Sequence, residues 1–223
     1  GDGNLDFQFD HQTKDEFQEL VEAVGDMAGS LKDARDELEQ ETLRRERLEH
    51  ELHIAAELQL ALLPDAPPSV EGAELLGWSR PAREVGGDFY DFVDLGSGRI
   101  AVAIGDATGK GLPAALLVTE CWSILRTLME ESYSPSELLY RTNRALCRRT
   151  RITARFVTLF ITVIDFDRGR ITYASAGHNP PLLVGHGGRS LCLRADDGFP
   201  LGIVPEGPYS EHSLELVPGD TLL

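Results

Sequence analysis

The sequence predicts an α+β protein: one long amino-terminal helix, then a domain of mostly antiparallel sheet. Three observations carry that expectation. Apolar residues recur at alternating steps of three and four through the first quarter of the chain. The remainder is made of short β-branched runs punctuated by glycine and proline. Two strongly helical stretches fall between runs of strands instead of alternating with them, which argues against a parallel βαβ arrangement. With 223 residues, 42% of them apolar, the chain can hold one sizeable domain and an appendage.

The helical register runs through Phe17, Leu20, Val24, Met27, Leu31, Ala34, Leu38, Leu48, Leu52, Ala55 and Leu62, and is interrupted at Glu41, Arg45 and Gln59. A seam of about six heptads calls for a coiled coil. A helix over 17–62 is about 69 Å long at about 1.5 Å per residue, too long to stand alone in water. A second copy of the chain is the simplest partner, which makes a homodimer through residues 17–62 the expectation. Thr13 with Asp15 and Glu16 supplies a cap and acids at the positive end of the helix. Pro64, Pro67 and Pro68 end it, because proline lacks an amide donor and disfavours helix in the residue before it. A domain boundary is placed there, with a linker coil over 31–63 and a globular domain over 69–223.

The balance of 21 Lys+Arg against 37 Asp+Glu leaves a formal charge of −16. So acidic a surface disfavours nucleic acid and anionic lipid as partners. Cys121, Cys147 and Cys192 are odd in number and widely spaced, as expected of reduced thiols in a cytoplasmic protein. No membrane helix or signal peptide is expected within the chain.

In the globular part, Ala73–Ser79, Phe89–Leu95, Arg99–Gly105, Phe156–Asp165, Arg170–Ser175, Pro181–Gly185, Ser190–Leu193 and His212–Val217 read as strands. Gly96-Ser97-Gly98 reads as a hairpin turn. Leu112–Glu131 reads as a helix, and Ser134-Pro135-Ser136-Glu137 opens another that ends near Thr150. Cys121, Trp122 and Leu125 share one side of the first of these, as core residues would.

Two glycine-flanked aspartates stand out. Asp88 follows Gly86-Gly87 and Asp106 follows Gly105, at the ends of adjacent hairpin strands. Each alone reads as a turn residue. Together they place two carboxylates side by side, where they repel unless protonated or bridged by a cation. Hard oxygen donors without His or Cys point to Mg²⁺ or Mn²⁺.

Six segments then occur in an order that resembles the SpoIIE/RsbU branch of the PPM-type metal-dependent serine/threonine protein phosphatases. They are Glu84-Val-Gly-Gly-Asp-Phe-Tyr-Asp91, Gly105-Asp-Ala-Thr-Gly-Lys-Gly-Leu-Pro-Ala-Ala115, Phe156-Val-Thr-Leu-Phe160, Ala176-Gly-His-Asn-Pro-Pro-Leu182, Pro200-Leu-Gly-Ile203 and Leu216-Val-Pro-Gly-Asp-Thr-Leu-Leu223. The resemblance implies a β-sandwich flanked by helices and two metal ions. It makes Asp88 and Asp106 metal ligands, with the Ala107 carbonyl a third. The implied substrate is phosphoserine or phosphothreonine on a partner protein, an anti-sigma-factor antagonist, and the implied reaction is in-line attack by metal-activated water. Family members continue after the last segment into a Thr-Asp-Gly run that supplies a further metal aspartate. The catalytic domain is therefore expected to be incomplete at Leu223, and the enzyme activity is expected of the complete protein.

Where members of that family have Ser-Gly-His, this sequence has Thr108-Gly109-Lys110, so Lys110 is a candidate for attracting phosphoryl oxygens. Arg83 is read either as a substrate clamp or as a surface arginine. His178 is read either as touching the site or, in preference, as holding a turn. Gly3-Asn4-Leu5-Asp6 and the run from Thr13 to Ala28 resemble the end of a HAMP signalling domain, with a departure at Val24-Gly25. That resemblance covers 1–30 and implies membrane helices upstream and an upstream sensor. Two other readings attach to the same residues. Gly86-Gly87-Asp88-Phe89 is close to the GGDEF motif of diguanylate cyclases, but Phe89 replaces its next acid and the strand order differs. A non-catalytic, coil-driven dimer with a phosphatase-like fold is the other.

Overall fold

The computed structural model describes residues 16–81, 85–131, 134–150, 155–185, 188–195 and 197–223. The elements in chain order are α1 (Glu16–Leu60), β1 (Asp88–Gly96), β2 (Arg99–Ala107), α2 (Leu112–Met129), α3 (Pro135–Thr150), β3 (Val157–Asp165), β4 (Arg170–Ala176), β5 (Leu182–Val184), β6 (Ser190–Cys192), β7 (His212–Glu215) and β8 (Thr221–Leu222). The chain divides into two compact units that meet at Glu51/Leu52.

The first unit, where described, is helix. Its charged faces carry pairs four residues apart, Arg45–Glu49 at 2.8 Å and Arg47–Glu51 at 3.4 Å. These are exposed to solvent and contribute little to stability. Leu20, Met27, Leu31, Leu38, Leu43 and Leu48 stand exposed along it.

The second unit is layered. A five-stranded antiparallel sheet runs β1-β2-β3-β4-β7, and a three-stranded antiparallel sheet runs β6-β5-β8. Side chains alternate across a strand, and both faces of the large sheet are used. On β2, β3 and β4, Ala101, Ala103, Leu159, Ile161 and Ala174 join a core with Val118, Cys121, Leu125 and Met129 of α2 and Leu138, Leu139 and Leu146 of α3. The residues between them face the other way. Phe160, Ile164, Ile171 and Tyr173 meet Leu183, Leu193 and Leu222 across the gap to the small sheet. The small alanines of β2 let α2 lie close to the sheet. The fold class is the one the sequence predicts, helices on one face of a two-sheet stack.

Three details differ from the sequence reading. Ala73–Ser79 alternates in exposure as a strand does, but it forms no ladder, and only a Val70–Ala73 bridge occurs there. Gly77 lies against the rings of Tyr90 and Phe92, so this segment packs over β1 without pairing. The short strand β8 (Thr221–Leu222), which pairs with β5, lies beyond the last strand read from the alternation pattern. α2 is long and apolar enough to cross a membrane by length and composition. Its apolarity has a local cause, since Ala114, Leu117, Val118, Cys121, Leu125 and Met129 face the sheet. Burial pushes the Cys121 thiol far up and keeps it protonated.

One buried charge ties α2 to the sheet. Asp91, 1% exposed on β1, accepts a hydrogen bond from Arg126 Nη1 at 2.8 Å and another from the Phe92 amide at 2.8 Å. Arg126 Nη1 also reaches the Phe92 carbonyl at 3.3 Å. Burial raises the Asp91 carboxyl above the usual carboxylate range, and the guanidinium works against that rise. A folded-state pKa raised in this way contributes stability below the unfolded value, and that contribution is lost as pH rises through the folded value. Removing the guanidinium raises the Asp91 pKa further. Arg126→Ala should therefore cost on the order of 2–3 kcal/mol near neutral pH, less than for a fully enclosed pair because Arg126 is part exposed. Urea unfolding of both proteins across pH should show the gap narrowing toward acid, as Asp91 takes up its proton.

Candidate functional site

The β1–β2 hairpin sets the site. Asp88 and Asp106 are direct partners across the antiparallel ladder. Side chains of opposed residues stand on the same face with Cβ atoms about 5 Å apart, so the two carboxylates are neighbours. Both are exposed at the edge of the domain. Partial burial raises the Asp106 carboxyl, and the charge of Asp88 and a hydrogen bond to it raise it further. This is the signature of two acids that compete for one place.

A third oxygen lies against them. A Cβ built on Gly87 would come 2.9 Å from the Ala107 carbonyl oxygen and 3.0 Å from Asp106 Oδ1. Those two oxygens therefore converge on a point that only the absence of a side chain keeps open. The Ala107 amide donates to the Gly87 carbonyl at 2.9 Å, which locks the two segments together. The next residue is anchored as well. The Thr108 amide donates to the Phe156 carbonyl at 2.9 Å, and the Phe156 amide donates to Thr108 Oγ1 at 3.1 Å.

An open cleft of about 480 Å³ leads to the carboxylates, lined by Trp78, Arg80, Ile104, Thr158, His178 and Asn179 as well as both acids. His178 follows β4, where its amide donates to Ser175 Oγ at 3.2 Å, so it does hold a turn. Its Nδ1 also lies 2.9 Å from Thr158 Oγ1, and the ring is half-buried beside the acids. Burial lowers the imidazole pKa, against the opposing pull of Asp88. Burial therefore favours the neutral form of the ring.

The candidate residues fall out as follows. Asp88, Asp106 and the Ala107 carbonyl are brought together. Lys110 is exposed and is not among the residues lining the cleft. Arg83 lies outside the described residues, while Arg80 lines the cleft and was not singled out from the sequence. His178 belongs to the cleft as well as to its turn. A glycine before a histidine at a strand end carries no signal that tells these two roles apart. Oxygen donors alone fit Mg²⁺ or Mn²⁺. Among the described residues no group of three or more His, Cys, Asp or Glu side chains forms a metal cluster, and the oxygens brought together here are two carboxylates and a backbone carbonyl.

The fold is that of the PP2C-type phosphatase domains. The SiaA-PP2C domain of Pseudomonas aeruginosa superposes with a TM-score of 0.69 over 80% of this chain and 71% of its own, at 23% identity, a likeness of fold. The PP2C phosphatase domain of the cell fate determinant SpoIIE from Bacillus subtilis, solved with a fragment of its regulatory domain, gives 0.54 over 69% of this chain and 42% of its own, at 25% identity. The chain belongs to the Stage II sporulation protein E (SpoIIE) family, whose model matches residues 96–223. Phosphoserine phosphatase RsbU of Bacillus subtilis (strain 168) is 32% identical over 188 residues, which is 83% of this chain. The chain spans 55% of the length of that relative.

The Gly87 cradle gives a test. Gly87→Ala places a methyl group at the point where the two oxygens converge, so Mn²⁺ binding should weaken at least about tenfold, the scale of a lost ligand contact. The unfolding midpoint should move far less. Electron paramagnetic resonance of free Mn²⁺ in titrations of both proteins checks this.

Proposed function

We propose that this chain carries the metal site of a bacterial protein serine/threonine phosphatase that hydrolyses phosphoserine or phosphothreonine on a partner protein. The carrying observation is the cross-strand Asp88–Asp106 pair with the Ala107 carbonyl beside it. Residues 88, 106 and 107 are the ones that would hold Mn²⁺ or Mg²⁺, two ions in the complete protein. The chemistry such ions supply when bound is Lewis acidity toward water and neutralisation of phosphoryl charge.

The chain's own residues do the rest. Asp88 and Asp106 provide the negative field that gathers cations. Arg80 at the cleft rim offers a guanidinium that matches phosphoryl geometry. Trp78 and Ile104, exposed on the same cleft, offer apolar surface to the peptide around the phosphorylated residue. Lys110 stands close in sequence to the Asp106 turn and contributes longer-range attraction. An anti-sigma-factor antagonist is the substrate class that the family resemblance suggests, and the name of the RsbU relative supports a phosphoserine target.

Asp106→Asn should lower turnover of a phosphoserine protein by at least about a thousandfold in the complete protein, since removing an electrostatic contributor costs on the order of 10²–10³ and this one holds the cation as well. A variant that keeps near wild-type turnover overturns the assignment. A wild-type protein that binds its partner without turnover would instead favour the non-catalytic interaction module.

The exposed leucines of α1 support a parallel homodimer through residues 17–62, the cytoplasmic end of a sensor pathway whose coil controls the catalytic unit. Light scattering at micromolar concentration should give twice the chain mass. A monomer removes the coil from the proposal and leaves the site untouched.

A further inference from the structure

Gln59 interrupts the apolar seam of α1, and its side chain has a definite occupation. Its carboxamide pairs with both backbone polar groups of a single residue. Nε2 donates to the Gly86 carbonyl at 2.8 Å, and the Gly86 amide donates to Oε1 at 3.0 Å. Gly86 opens the turn that delivers Asp88. The turn is thus fixed at two places, on Gly86 by Gln59 and on Gly87 by the Ala107 amide.

The surroundings reinforce that contact. Ala55 and Ala56, on the turn of α1 just before Gln59, pack with Val85 and with Ala115 of α2. A small crevice of about 20 Å³ is shared by Gln59, Gly86 and Asp88 with Val118 and Trp122 of α2. The last turns of α1, the Asp88 turn and α2 therefore meet at one spot within the second unit. Two adjacent glycines leave a turn with more conformational freedom than any other pair. A two-point clamp on one of them removes much of that freedom before any cation arrives.

We infer that Gln59 is a positioning residue: its carboxamide holds the Gly86-Gly87-Asp88 turn in the form that presents Asp88 to a divalent cation, so the placement of the Leu52–Leu60 helix end sets the cation affinity of the site. This rests on the metal-site reading above. A ligand held in place before binding costs less to order on binding. Gln59 has this effect without touching cation or substrate.

The test uses the whole protein with Mn²⁺ as probe, and compares wild type, Gln59→Leu, Gln59→Glu and Asp106→Asn. Gln59→Leu removes both hydrogen bonds. Gln59→Glu keeps the shape, and its carboxylate still accepts from the Gly86 amide but faces the Gly86 carbonyl without a donor. In the metal-free protein, hydrogen exchange at the Gly86 amide should speed up about tenfold or more in Gln59→Leu and less in Gln59→Glu, the scale of one net hydrogen bond. The Mn²⁺ dissociation constant should rise about tenfold in both, with the global unfolding midpoint little changed. At saturating Mn²⁺, kcat should recover toward wild type. Unchanged exchange at Gly86 and an unchanged Mn²⁺ constant in both Gln59 variants, with Asp106→Asn unable to bind, overturn the role of Gln59 alone. Wild-type Mn²⁺ binding by Asp106→Asn overturns the metal-site reading itself. A matching loss of global stability and affinity would make Gln59 a general structural contact and overturn the inference as well.

Discussion

Everything at the site depends on a repulsion held in place by strand register. Asp88 and Asp106 face each other across β1 and β2, and the charge of Asp88 adds to the burial that disfavours ionisation of Asp106. A ladder fixes its side chains with a period of two, so a slip of one residue would oppose Asp88 to Gly105 or Ala107 and turn the carboxylates to opposite faces. The hairpin prevents this through an irregularity between Asp94 and Gly96, where Asp94 Oδ1 accepts from the Gly96 amide at 2.8 Å. On its other side, β2 is held along its whole length by β3, from Arg99–Asp165 to Ala107–Val157. The energy that keeps two like charges together comes from pairing and packing far from them.

That packing explains the layered form. β2, β3 and β4 bury both faces, one against α2 and α3 and the other against the small sheet. A sheet covered on both faces cannot shift a single strand without exposing large side chains such as Phe160 or Leu159, each worth on the order of 1.5–3 kcal/mol when buried. Asp91 and Arg126 add a polar contact between β1 and α2 within this apolar setting. The arrangement makes α2 the element most directly joined to both the sheet and the Asp88 turn.

The paired aspartates were legible because their chemistry is local. Glycine beside aspartate at the ends of two strands joined by a short turn already fixes their proximity. The alternating strands β3 and β4 and the two helices were legible for a similar reason, since period and capping are properties of short windows. Arg80 and Gln59 were not, nor was the neighbour that His178 takes. His178 reaches Thr158 from the end of a different strand, and Arg80 comes to the cleft on a segment that mimics a strand without pairing as one. Gln59 looked like a flaw in a coil because its partner is a backbone group twenty-seven positions away, and backbone groups leave no trace in a sequence pattern.

By itself, then, the sequence determined the α+β class, the long helix, the hairpin and the pair of hard oxygen donors at its end. Those follow from periodicity, turn chemistry and the hardness of oxygen donors, all of which act over a few residues. Only the tertiary structure decided which oxygens share one point in space, which basic residue lines the cleft, and what the polar residue near the end of α1 touches. Such contacts join positions distant in the chain, and their geometry is set by the packing of whole layers.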